Sequence, residues 1–155
     1  MKIRYWLLAM SFIFLSCGRV ADDVEANYGI IPMPNELAPM QGVYVLQGKK
    51  TVAVPSGEAA MKVFHYLEDA LKNTSVTLKG ISETGKADIC LSIDNSLPDE
   101  AYTLEVSSDR INISSNETAA GFFYGVQSLL QLMPVAIYDG DRKYEGKIRI
   151  PAVSI

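Results

Sequence analysis

The sequence predicts an α+β domain: a two-layer sandwich in which a largely antiparallel mixed sheet is covered on one face by two helices. Three observations carry that expectation. Apolar stretches that alternate with polar residues come in runs, two segments of helical period interrupt them, and the strict strand-helix alternation of a doubly wound nucleotide fold is absent.

With 155 residues, 48% of them hydrophobic and 21% charged, the chain has the composition of one globular domain. Its net charge of −4, with no basic run interleaved with aromatics, argues against nucleic acid as a partner.

The first residues read as an export signal. Lys2 and Arg4 precede an apolar stretch from Tyr5 to Leu15, broken only by Ser11. That stretch is shorter than the roughly 20 residues needed to cross a bilayer core, so residues 1–16 are expected to be a signal peptide. Leu15-Ser16-Cys17 resembles the lipobox of bacterial lipoproteins, although Phe14 replaces the usual aliphatic residue. The resemblance implies lipid attachment at Cys17 and an exported, membrane-anchored protein, periplasmic or at the cell surface. Residues 17–29 then form a tether, polar and acidic through Asp22, Asp23 and Glu25. Lipidation of Cys17 would leave Cys90 without a disulfide partner.

Residues 30–155 carry the folded domain. Each proline of Ile31-Pro32-Met33-Pro34 pushes its predecessor toward extended geometry, giving a stiff lead-in. Val43 to Leu46 and Thr51 to Val54, separated by Gln47-Gly48-Lys49-Lys50, read as a hairpin. From 57 to 72 the period changes. Ala60, Val63, Phe64, Leu67 and Leu71 form one stripe of an amphipathic helix.

Strands are expected again at Val76 to Leu78 and Ile89 to Ile93. A second hairpin follows, in which Tyr102, Leu104 and Val106 alternate with polar residues before the Ser107-Ser108-Asp109 turn, and Ile111 and Ile113 after it. A second helix spans about 117–133, with Phe122, Val126, Leu129, Leu130 and Met133 on its stripe and Pro134 ending it. Ser114 and Glu117 have the spacing of a capping box. Ile148-Arg149-Ile150 begins a last strand. Leu67, Phe123, Val126 and Leu130 are expected deep in the core.

Chemistry is sparse along this chain. His65, the single histidine, lies beside an apolar helix stripe and reads as a surface residue. Cys90 reads as a small buried hydrophobe. Asp139-Gly140-Asp141 starts like a calcium loop, but Lys143 occupies the next ligand place, so it reads as a turn. Glu68 and Asp69 are adjacent on a helix and do not face each other. Gly121 and Gly125 form a GxxxG whose expected role is close approach of helix to sheet. Tyr138 and Tyr144 in the late loop are the aromatics available for a sugar platform, although two tyrosines near a domain junction more often serve an interface. No catalytic residue, metal site or cofactor is therefore assigned.

From Ile30 onward the chain resembles the small domain that precedes the catalytic barrel of family 20 β-N-acetylhexosaminidases. The resemblance rests on IIPMPNEL from Ile30, EAYTLEVSSDRINIS from Glu100, AAGFFYGVQSLLQLM from Ala119 and RIPAVSI from Arg149. Amphipathicity fixes the apolar positions of the third run, but not Tyr124, Gly125, Gln127 and Gln131. Similar domains also precede the barrels of O-GlcNAc-removing hydrolases and some α-glucuronidases. The resemblance implies a parent enzyme that removes terminal N-acetylhexosamine, the substrate's acetamido group attacking its own anomeric carbon while a glutamate protonates the leaving oxygen. Its Asp-Glu pair would lie in a barrel outside this sequence, so the chain reads as a truncated, non-catalytic accessory domain. The implied partners are that barrel, the membrane through the lipid, and the parent's glycan. A stand-alone lipoprotein module that binds glycan or protein is the other reading.

Overall fold

The computed structural model of the chain describes residues 28–116 and 118–155, so Cys17, the signal segment and nearly all of the tether lie outside the described residues. The expected element order is present: β1 (Ala38–Leu46), β2 (Lys49–Ala53), α1 (Glu58–Ala70), β3 (Thr77–Ile81), β4 (Ile89–Ile93), β5 (Tyr102–Val106), β6 (Ile111–Ser115), α2 (Ala119–Gln131) and β7 (Ile148–Ser154). The strands form one mixed sheet in the order β1-β7-β5-β6-β4-β2-β3. Its β1-β7-β5-β6 side is antiparallel, and its β6-β4-β2-β3 side is parallel. The two helices form the second layer.

The expected hairpin of β1 and β2 is not there. β1 pairs with β7, and β2 lies on the far side of the sheet between β4 and β3. Only Gln47 and Gly48 join the two strands, yet four others stand between them in sheet order. At about 4.8 Å per strand so short a link cannot cross a flat sheet. The end of β1 must curl back toward β2. Two features permit this: on its β7 side β5 pairs only with Val153 to Ile155, leaving the first half of β7 free to bend away, and the β1–β7 register shifts between Pro39 and Val43, where Gly42 has a φ of 111°. Gly48, with a φ of 62°, makes the tight exit.

The helix stripes account for the core. Ala60, Val63, Phe64, Leu67 and Leu71 are all buried, and Phe64 lies over Gly80 of β3, where an added Cβ would stand 3.5 Å from the ring. α2 buries Phe122, Val126, Leu129 and Leu130. Gly121 and Gly125 lie against the β5–β6 hairpin: a Cβ on Gly125 would come within 2.6 Å of Ile113 Cγ2, and one on Gly121 would overlap Ser115 Oγ and the Ala101 carbonyl. The GxxxG therefore sets the distance between helix and sheet, as its spacing predicts.

Phe123 departs from expectation. It is 36% exposed, because the one stripe that faces the sheet is already filled by Phe122 and Val126. The capping box is also absent: Ser114 belongs to β6 and shares a hydrogen bond of 2.8 Å with Ser92 Oγ, while α2 starts after Thr118. Glu117 lies outside the described residues.

The parallel half is tied by Asp88. Its carboxylate accepts from the Thr51 backbone N–H at 2.8 Å, the Thr51 hydroxyl at 2.7 Å and Lys50 Nζ at 2.9 Å. Burial pushes this carboxyl up, but the Thr51 backbone N–H, the Lys50 ammonium and the Thr51 hydroxyl outweigh it and hold its pKa below the ordinary value.

Candidate docking surface

The outer face of the helix layer gathers the exposed aromatic residues. Tyr66 of α1 and Phe123 of α2 pack with ring centroids 5.2 Å apart, and Phe123 meets Tyr124 edge-on at 6.0 Å. Gln127 Nε2 donates to Tyr66 Oη at 3.0 Å, fastening one helix to the other. Beneath them Tyr102 and Ser128 share a hydroxyl hydrogen bond of 2.6 Å, which fixes the Tyr102 ring beside Gly125.

The proline-rich lead-in crosses the C-terminal half of α2 as a strap. Gln131 holds it: its Oε1 accepts from the Ile31 backbone N–H at 2.8 Å, and its Nε2 donates to the Ile31 carbonyl at 3.2 Å. Tyr28 Oη donates to the Ala152 carbonyl at 3.1 Å, anchoring the start of the strap to β7. With its backbone held inward, the strap turns Ile31 and Met33 outward, 81% and 82% exposed. Between strap, hairpin and helix lies a cleft of about 750 Å³, lined by Met33, Glu36, Glu100, Phe123, Tyr124 and Ile155 among others. A smaller apolar groove of about 450 Å³ continues from Phe123 and Tyr124 to Lys62 and Tyr66. Exposed aromatic residues held by mutual ring packing, with Tyr66 also hydrogen-bonded to Gln127, suit a surface that receives another packed body.

The residues weighed for chemistry do not converge here. His65 is exposed on α1, its Nδ1 2.9 Å from Glu68 Oε2. Cys90 alternates with Ile89 and Leu91, which face the helices, so it lies on the opposite face of the sheet in a small cluster with Ala53 and Ala87. Burial there raises its thiol pKa. Asp139 and Asp141 sit in a turn, the Asp141 N–H 3.4 Å from Asp139 Oδ1. Tyr138 donates to the Leu130 carbonyl at 2.8 Å, and Tyr144 to that of Lys147 at 3.3 Å, so each hydroxyl serves the local fold. Cys17 lies outside the described residues. The sequence expects the second helix and the last strand to form the side that supports a barrel, but it places Phe123 in the core and does not single out Tyr66 or the strap for that surface. Its signal was Phe122-Phe123-Tyr124: a helix stripe takes at most two of three consecutive residues, so at least one of these aromatics had to point elsewhere.

A model of the family described as "Glycosyl hydrolase family 20, domain 2" matches residues 27–155. The chain belongs to that family. This family 20 domain is 30% identical over 153 residues to a β-hexosaminidase of Porphyromonas gingivalis, covering 91% of this chain and 19% of that protein. Among solved structures, the Streptomyces plicatus N-acetyl-β-hexosaminidase in complex with Thio-NAglucal matches at 26% identity with a TM-score of 0.71, over 81% of this chain and 25% of that one. The β-N-acetylhexosaminidase of Bacteroides fragilis matches at 25% identity with a TM-score of 0.63, over 81% and 23%. The chain thus spans a quarter or less of the length of these relatives. It is a glycoside hydrolase-related accessory domain, and the α2 run that carries the resemblance can be read residue by residue: Gly121 and Gly125 for close packing, Gln127 for the helix pair, Gln131 for the strap.

Proposed function

We propose that this chain is the non-catalytic accessory domain of a β-N-acetylhexosaminidase, and that its helix layer braces the catalytic barrel of the parent enzyme. The observation that carries the reading is the family 20 domain 2 match over residues 27–155, in a chain that covers only 19% of the Porphyromonas gingivalis β-hexosaminidase. The exposed aromatic face of α1 and α2, where Tyr66, Phe123 and Tyr124 pack on one another, supports it. Phe123 and Tyr124 meet edge-on at 62°, which offers a partner protein side chains to pack between and no flat pair of rings for a sugar to lie on.

In this reading the parent removes terminal N-acetylhexosamine from glycans, and the acid-base chemistry belongs to the barrel. Residues 1–16 direct export, Cys17 carries lipid, and residues 17–29 tether the domain, numbered 30–155, to a membrane on the periplasmic or outer side. Extending the chain through the reading frame beyond Ile155 tests the parentage: turnover of an N-acetylhexosaminide by the extended protein is expected, and an unrelated following domain contradicts it. The anchor is tested by labelling cells with a fatty-acid analogue. Label that persists in Cys17→Ala overturns that assignment.

A further inference from the structure

We propose that the cleft beneath the strap seats a lysine or arginine side chain, carried on an apolar segment of the catalytic domain and paired there with Glu36 and Glu100. The inference rests on the docking reading above and adds the chemistry of the contact.

The cleft is mostly apolar, lined by Ile31, Met33, Phe123, Tyr124 and Ile155. The charged residues in its lining are two acids, Glu36 and Glu100, with no lysine, arginine or histidine among them. Neither carboxylate has an ion-pair partner among the described residues, whereas Lys50, Lys62, Lys72 and Lys86 all have one. A body that covers the apolar lining must also strip water from these carboxylates. Covering an unpaired charge is strongly unfavourable, so a partner that fits the cleft brings a cation with it.

Glu100 adds a second reason. Its φ is 66°, in the left-handed region, within a turn closed by the Ala101 N–H donating to the Pro98 carbonyl at 3.1 Å. Glycine suits such a position better than any residue with a Cβ. A glutamate there costs local stability, and Glu100 is one of the residues that line the cleft. The occupant is argued from connection. Ile155 lines the same cleft, at the end of β7, so a domain joined at that residue is held beside both acids at high effective concentration.

The test uses the two-domain protein, with this chain joined at Ile155 to its catalytic domain. Docking is read as one thermal unfolding transition at low salt, dividing into two as NaCl is raised. The double variant Glu36→Gln, Glu100→Gln is expected to show two transitions already at low salt and to release the accessory domain to protease about tenfold faster or more. Glu105→Gln, an exposed acid of β5 outside the cleft, is the control. Glu100→Gly separates the two roles: it should raise the stability of this chain alone while weakening docking. A double variant indistinguishable from Glu105→Gln overturns the inference. If Phe123→Ala divides the transitions and the acid variant does not, only the charge pairing fails. If neither does, the docking reading fails as well.

Discussion

Gln131 and Ile31, one hundred residues apart, are joined by two hydrogen bonds in which a single side-chain amide satisfies both polar groups of one peptide unit's residue, at 2.8 Å and 3.2 Å. Ile31 belongs to no strand of the described residues, so the clasp does for it what a ladder does for a strand residue. It also determines which way Ile31 and Met33 point, and hence the shape of the cleft.

Replacing Gln131 by leucine keeps the bulk and removes both bonds. The expected loss is about 1–2 kcal/mol, since the contact is partly open to water. Hydrogen exchange at the Ile31 amide should speed up while exchange in β4 and β6 stays unchanged. An unaltered Ile31 amide would show that the strap is held by packing alone.

Gly121→Ala places a methyl group into Ser115 Oγ and the Ala101 carbonyl, neither of which is the free end of a flexible side chain. Helix propensity alone favours alanine by roughly 1 kcal/mol, so a surface helix glycine would be improved by this change. Here overpacking wins, and a net loss of about 1–3 kcal/mol is expected. Gly140, with nothing within 4 Å of its added Cβ, is the comparison. Denaturant midpoints decide, and equal midpoints for the two alanine variants would remove the close-packing role of the GxxxG.

How much of this was legible in the sequence depended on range. Both helices and the β5–β6 hairpin were readable because their signals are local: all five residues of the Ala60 to Leu71 stripe are buried, and Ser107 closes the turn through the Arg110 carbonyl. β1 was misread for the same reason. Proximity in sequence favoured pairing with β2, whereas its partner β7 lies about a hundred residues on. Phe123 was placed in the core because an aromatic on an amphipathic helix usually is, and only the crowding of three aromatics in a row spoke against it. The clasp by Gln131 left no local trace beyond a glutamine that amphipathicity did not require.

Asp88 supplies a pH dependence whose sign follows from its lowered pKa. Burial alone would raise it, and the Thr51 and Lys50 contacts reverse that, so the folded state holds the proton more weakly than the unfolded chain. The stabilisation is complete above the unfolded value, about pH 4, and is lost as pH falls through the lower folded value. Asp88→Asn should therefore cost about 1–3 kcal/mol at neutral pH and progressively less below pH 4. Urea midpoints of both proteins across that range check this, and a gap that stays constant with pH contradicts it.

As proposed, this chain is a hydrolase's supporting domain and the acid-base chemistry belongs to the barrel. A substrate-assisted glycosidase needs an acid at the leaving oxygen, a second carboxylate to orient the acetamido group and a pocket that excludes water. The acids that line the cleft, Glu36 and Glu100, sit at a broad apolar surface suited to a protein partner. The most direct measurement is incubation of the purified 155-residue chain with a chromogenic N-acetylglucosaminide beside a boiled control. Identical, background release from the two is expected; release by the native chain above the boiled one would contradict the non-catalytic assignment.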